Sequence, residues 1–175
     1  MRRESLAPTI ETERLVLRAH RLSDYDDCAA MWSDHLVTRF IGGVPATLQE
    51  TWFRLLRYVG HWSLVGYGYW VIEDRQTGRF AGEIGFSDSR RDIRPSLDGM
   101  PESGWALVPW VHGRGYAQEA LAAALAWGDA EFKQQKTCCI ISPDNLPSLR
   151  VAEKNGYVEF ARTAYKGSPI VIFKR

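Results

Sequence analysis

The chain has 175 residues, 45% of them hydrophobic and 25% charged, which is enough to bury a core within one domain, and residues 1–175 are read as a single domain. Its 22 basic and 21 acidic residues leave a formal net charge of +1, which offers no electrostatic footprint for nucleic acid or an anionic membrane. The longest mostly apolar run, Ala120 to Trp127, is too short to cross a bilayer.

Met1–Thr12 holds charges and a proline but no apolar signal core, so no secretory leader is expected. "RLVLRAH" alternates Leu15, Leu17 and Ala19 with polar or β-branched neighbours and predicts a strand. Ser23 and Asp26 have capping-box spacing before a first helix. Thr47 and Glu50 repeat it before a second, on which Trp52, Leu55, Leu56 and Val59 share a face. These two helices, coming so early, form a segment able to cover a substrate cleft. "YGYWVIED" and "RFAGEIGFSD" flank Gln76–Gly78 as a hairpin. Residues 88–101 are a loop, "ESGWALV" is a strand stopped by Pro109, and an alanine-rich helix follows. "KTCCIIS" is a strand, "NLPSLRVAEKN" a helix opened by Asn145 and closed before Gly156, and "YVEFAR" with "PIVIFK" a last hairpin. The order β-αα-βββ-α-β-α-ββ makes a mixed α/β domain.

Between the sixth predicted element and the alanine-rich helix lies Gly113-Arg114-Gly115. Glycine there costs backbone entropy, whereas a helix start offers unpaired N–H groups and partial positive charge to a phosphate. A tight turn kept slim for packing is the plain alternative. The loop follows a strand directly, carries a cation at Arg114, and keeps its next turn small with Ala117, all of which suit an approaching anion. A dinucleotide fingerprint would need glycine where Gln118 stands, and a P-loop would need Gly-Lys-Ser/Thr; neither is present.

"HGRGYA" before an amphipathic helix, then a strand and "NLPSLRVAEKNGY", resembles the GCN5-related N-acetyltransferase (GNAT) superfamily. "ESGWALVPWVHGRGYAQEAL" resembles its RimJ/RimL-like branch more narrowly. The family's pyrophosphate loop reads Gln/Arg-x-x-Gly-x-Gly/Ala, and residues 112–117 match it except at His112. The resemblance implies a mostly antiparallel central sheet with flanking helices. It implies acetyl-CoA as cosubstrate, with His112, Gly113, Arg114, Gly115, Tyr116 and Ala117 at the pyrophosphate. It also implies a pantetheine arm between splayed strands, paired with the backbone of Leu107 and Val108. Asn145 matches the family's cofactor-contacting asparagine and also suits a simple N-cap.

Attack on a thioester needs a neutral amine, and a lysine-type amine stays protonated until about pH 10. A carboxylate could take that proton, with Glu83 and Glu102 the strand candidates and an outward ion pair the alternative for either. The N–H of Val108 is the expected oxyanion donor. The family's tyrosine acid falls at Ala152, leaving Ser148 to serve the departing thiolate, unless its hydroxyl only satisfies local backbone. Tyr157 reads as core. Cys28, Cys138 and Cys139 lack metal-ligand spacing and read as buried hydrophobes in a reduced, cytoplasmic protein. The four histidines show no metal spacing either, so no metal is expected. Trp52, Trp62, Tyr67, Tyr69 and Trp70 suit core packing, with some able to line an acceptor cleft.

The reading is an acetyl-CoA-dependent N-acetyltransferase acting by direct attack on a primary amine, either a small molecule or a protein N-terminus. A homodimer is common for such folds by resemblance. The alternative is a catalytically silent acyl-CoA-binding sensor or interaction module, which would release no coenzyme A in response to amines.

Overall fold

Strand-forming segments need a face to bury, and here one sheet receives helices on both sides. The computed structural model describes residues 7–133 and 135–175. Its eight strands are β1 (Ile10–Glu11), β2 (Leu15–Arg18), β3 (Tyr69–Asp74), β4 (Phe80–Ser87), β5 (Glu102–Leu107), β6 (Cys138–Ile141), β7 (Val158–Tyr165) and β8 (Ser168–Lys174). They lie in the order β1-β2-β3-β4-β5-β6-β8-β7. Every neighbouring pair is antiparallel except β5 and β6. The helices are α1 (Tyr25–Ser33), α2 (His35–Thr38), α3 (Leu48–Val65), α4 (Tyr116–Glu131) and α5 (Leu146–Lys154). The mixed α/β order of the sequence reading holds, with β1 and α2 as short additions.

Pairing fixes which side chains share a face, because directly opposed antiparallel residues point the same way. Trp70 opposes Ile84 and Phe86 opposes Ser103. On that side Trp70, Ile84, Phe86 and Leu107 pack with Leu121, Ala124 and Leu125 of α4 and Ala152 of α5. Tyr69 opposes Gly85, Gly85 opposes Gly104, and Glu83 opposes Ala106. This second side is covered by Cys28, Met31 and Trp32 of α1 and Val37 of α2. Adjacent Cys138 and Cys139 split between the two sides, both buried and in no disulfide.

Residues 88–101 are a loop, as expected, but an anchored one. Ile93 and Leu97 bury against Cys138, Ile170 and Ile172. Two local expectations fail. The Ser23/Asp26 box does not form, because Asp24 intervenes: its carboxylate accepts from the Arg21 N–H at 2.6 Å and binds both terminal nitrogens of Arg18. The chain therefore enters α1 through a 3-10 turn at Leu22–Asp24. On α3 the Thr47/Glu50 box is present, but the buried stripe is Thr51, Leu55, Tyr58 and Trp62. Leu56 and Val59 are 47% and 48% exposed, because the helix is turned to stack Tyr58 on Tyr69 at 4.3 Å and to let Trp62 Nε1 donate to Tyr69 O at 3.0 Å.

Candidate active site

Strand β5 ends at Leu107, and a 3-10 turn at Pro109–Val111 leads to the glycine loop. Gly113 and Gly115 both take left-handed φ, 72° and 78°, a region where L side chains are strained. Gly115 is the N-cap of α4, so it has no side chain with which to cap, and no other side chain does so. The first intrahelical bond is Glu119 N–H to Gly115 O at 3.1 Å. The N–H groups of Tyr116, Ala117 and Gln118 thus have no protein partner among the described residues. The loop is clasped from behind. Arg14 donates to Arg114 O at 2.8 Å and pairs with Glu119 at 2.6 Å, while the Tyr116 hydroxyl donates to Asp74 at 2.6 Å.

Beside this helix start the sheet opens. Strands β5 and β6 share a single register pair, Glu102 with Cys138, and then diverge. Residues 102–107 lie in register with β4 and the next residue, Val108, is hydrogen-bonded to Ala81, so alternation gives 102, 104 and 106 the bonds to β4 and turns the backbone groups of Ser103, Trp105 and Leu107 toward the gap. His112 Nε2 holds the Leu107 carbonyl at 2.8 Å. Val108 behaves differently from expectation. Its N–H donates to Ala81 O at 3.1 Å, so it is engaged in the sheet and is not available as an oxyanion donor. Asn145 caps α5 by accepting from the Ser148 N–H at 3.2 Å, and the half-buried Ser148 hydroxyl has no partner among the described residues. Ala152 is fully buried in the main core.

The helix-covered face under α1 and α3 carries both candidate carboxylates. Glu83 is 2% exposed and fully engaged. His20 and Cys28 donate to Oε1 at 2.9 and 3.2 Å, and Trp32 Nε1 donates to Oε2 at 2.7 Å. Burial acts to raise its pKa, but the hydrogen bond and charge of His20, with those of Trp32 and Cys28, outweigh that and hold it below the usual carboxylate range. Burial, with Glu83 beside it, pushes the Cys28 thiol far up. Glu102 receives both forks of Arg91, at 2.7 and 2.6 Å, and Arg91 also lies over Tyr165. Between the two carboxylates the floor is Gly85 and Gly104; a Cβ at residue 104 would collide with the Tyr69 hydroxyl. That hydroxyl makes no hydrogen bond among the described residues, and burial raises its pKa.

The histidine spacing in sequence gives no sign of His20 meeting Cys28 and Glu83. Their ligand-type atoms nevertheless lie within 4.8 Å of one another, here as a closed hydrogen-bonded set. Tyr157, by contrast, is core as expected, its hydroxyl bound to Ser103 and Thr137. A cavity of about 580 Å³ opens against the α4 start. Four arginines line it (Arg14, Arg75, Arg79 and Arg114), together with Trp110, Tyr116, Glu13 and Asp74. Arg79 lies 4.3 Å over the Trp110 ring, and neither Arg79 nor Arg114 forms an ion pair among the described residues. No sequence pattern points to this cavity, since its arginines come from three separate segments, Arg14 before β2, Arg75 and Arg79 in the β3–β4 turn, and Arg114 in the glycine loop.

A helix start without caps, one short turn beyond a strand at which the sheet splits and lining an arginine-rich cavity, fits a ligand with a polyphosphate head and a linear arm. Comparison with known proteins agrees. Residues 14–158 match the family described as the acetyltransferase (GNAT) domain. The Bacillus subtilis protein YkkB is 35% identical over 113 residues, which spans 63% of this chain and 63% of its own length. A GnaT-family acetyltransferase from Bordetella pertussis superposes with TM-score 0.85 at 32% identity, covering 97% of this chain and 99% of that one. RimL, a ribosomal L7/L12 α-N-protein acetyltransferase solved with coenzyme A, shares the fold at TM-score 0.74 and 17% identity, covering 96% and 97%. No helix among the described residues is long and apolar enough to cross a membrane. The chain belongs to the GNAT family, whose members are acetyl-CoA-dependent N-acetyltransferases.

Proposed function

We propose that this protein transfers acetyl from acetyl-CoA to a primary amine, a small molecule or a protein N-terminus, by direct attack in a ternary complex. The observation that carries this reading is the uncapped start of α4 at Gly115, joined by one short turn to the end of β5, the strand that parts from β6. Bound acetyl-CoA supplies a thioester carbonyl for attack and a thiolate leaving group.

The N–H groups of Tyr116, Ala117 and Gln118 receive the pyrophosphate oxygens, with the helix dipole adding about 0.3–1 kcal/mol. Gly113 and Gly115 keep side chains out of that approach, and Arg79 and Arg114 meet the remaining phosphate charge. The gap-facing backbone of Leu107 pairs with the pantetheine arm once His112 releases its carbonyl, and Val108 continues that edge as packing surface. The Leu107 N–H takes the oxyanion role instead of Val108. Asn145 and Ser148 stand at the start of the next helix, where the Ser148 hydroxyl is free to donate to the departing thiolate.

An amine nitrogen attacks the carbonyl carbon, a C–N bond forms, and the C–S bond breaks. The amine's proton passes to Glu102, through water, when the loop carrying Arg91 yields its side chain. Glu83, sealed and already accepting three hydrogen bonds, shapes the wall of the cleft. Incubation with acetyl-CoA and a panel of amines and short peptides should give amine-dependent free thiol and acetylated product. Binding of acetyl-CoA without amine-dependent release would reject the catalytic reading in favour of a binding module.

A further inference from the structure

The charges of the covered face are matched with one exception. Glu83 has His20, and Glu102 has Arg91. Arg54, on α3, forms no ion pair among the described residues. Its guanidinium carbon lies over the Trp32 ring, 3.7 Å from the centroid, and one terminal nitrogen reaches only the Tyr58 hydroxyl, at a marginal 3.5 Å. Its Nε is buried with no hydrogen-bond partner, and so is the Oγ1 of Thr51 one turn earlier on the same helix. Glu83 attracts the cation at longer range, across the Trp32 indole that holds it, but accepts no hydrogen bond from it.

An arginine does not escape burial by losing its proton. An unsatisfied buried donor is costly, the more so when it is charged. With one face covered by indole, the guanidinium can take a partner only in its own plane, and a planar carboxylate matches that fork in two parallel bonds. Arg54 is linked to the glycine floor through the Tyr58–Tyr69 stack and the Tyr69 hydroxyl over Gly104. A ligand lying along those rings would present its amine at the floor and its carboxylate at Arg54. A polyamine would instead bring a second cation against an unpaired one.

We propose that Arg54 binds a carboxylate on the acceptor, so that the acceptors of this enzyme are small aminocarboxylates, amino acids in the first place. This rests on the amine-acetylation reading above and narrows it. The test compares acceptors that differ only by a carboxylate, L-phenylalanine with phenethylamine and 4-aminobutyrate with propylamine, and adds spermidine. The parent should prefer the carboxylate member in kcat/KM by about 10- to 100-fold, chiefly through KM. In Arg54→Gln that ratio should fall toward one, and in Arg54→Lys, which keeps the charge without the fork, it should lie between. Arg57→Gln, which removes an exposed cation of the same helix, should keep the parental ratio. A parental preference for spermidine or the plain amines, an unchanged ratio in Arg54→Gln, or an equal loss in Arg57→Gln would each overturn the inference.

If no amine is acetylated, the failure lies with the reaction, and calorimetric titration of L-phenylalanine into the coenzyme A complex decides the rest. Binding by the parent and not by Arg54→Gln sustains the carboxylate site. No binding by the parent rejects it. Should Arg54→Gln fail to fold, Arg54→Lys alone must show the reduced ratio, and a parental ratio there counts against the site.

Discussion

Asp74 shows how much one hydrogen bond governs at the edge of the arginine-lined cavity. The Tyr116 hydroxyl, and after it Thr77, hold its carboxyl at about 2, below the ordinary 3.8. A folded-state pKa below the unfolded one contributes stability that is complete above 3.8 and drains away as pH falls through about 2. Tyr116→Phe should therefore cost about 1.5–3 kcal/mol above pH 4, with the difference from the parent closing toward pH 2. Urea unfolding across that range checks it, and a pH-independent difference would assign the effect to packing instead. The two carboxylates under α1 and α3 part company in a similar way. Glu83→Gln leaves a donor facing an amide nitrogen, and each stranded donor costs about 1–3 kcal/mol, so the melting temperature should fall first. Glu102→Gln should instead lower turnover most near neutral pH and recover as pH rises toward the amine's own pKa of about 10, where free amine supplies itself. Rate profiles on the same acceptor compare the two. Glu83 and Glu102 could be picked from sequence as strand carboxylates. What distinguishes them could not, because the partners of Glu83 (His20, Cys28 and Trp32) come from a different part of the chain and meet it only through the fold.

At the scale of elements, most features with a local cause are legible, the Ser23/Asp26 spacing excepted because Asp24 takes its place. The hairpin at Gln76–Gly78, the Thr47 box and the Asn145 cap are set by neighbours within a few residues and stand where the sequence places them. The facing of α3 depends on Tyr69, a β3 residue, and for that reason is not legible in the helix's own sequence. Two glycines of α4 make the same contrast testable. Gly115 is left-handed at the helix start, with a Cβ there meeting Arg14 Nη2 at 3.3 Å. Gly128 has ordinary helical backbone, but a Cβ there would press on Phe132 at 2.9 Å and Phe86 at 3.2 Å. Gly115→Asp should weaken acetyl-CoA strongly, by placing a carboxylate against the phosphates. Gly128→Ala should overpack the aromatic cluster and cost about 1–3 kcal/mol, yet leave acetyl-CoA affinity near parental below the melting transition. Thermal unfolding and calorimetric titration of both variants separate the roles. Equal affinities would reduce the glycine loop to a turn.

Across the whole molecule, the sheet is continuous on either side of one split, and the split lies where β5 and β6 run parallel with a single shared register pair. The order of elements was readable because hydrophobic alternation and turn residues are local signals. The split was not, since nothing in "ESGWALV" or "KTCCIIS" alone says how far the two strands stay together; the expectation of splaying came by resemblance. Backbone orientation now makes that gap testable residue by residue. Trp105 and Leu107 turn their N–H groups into it, while Val108, next in the chain, is already bonded to Ala81 at 3.1 Å. Acetyl-CoA at about 100 times its dissociation constant should stabilise the protein by about 2.7 kcal/mol, and NAD or ATP at equal concentration should do much less. Under the same conditions, exchange of the Trp105 and Leu107 amides should slow by about 100-fold where it requires ligand release. The Val108 amide, protected before ligand arrives, should change only as far as global stability carries it. Hydrogen exchange followed by NMR resolves these neighbours. Equal slowing at Leu107 and Val108, or none at either, would place the cofactor's arm outside the gap even if the pyrophosphate sits on α4.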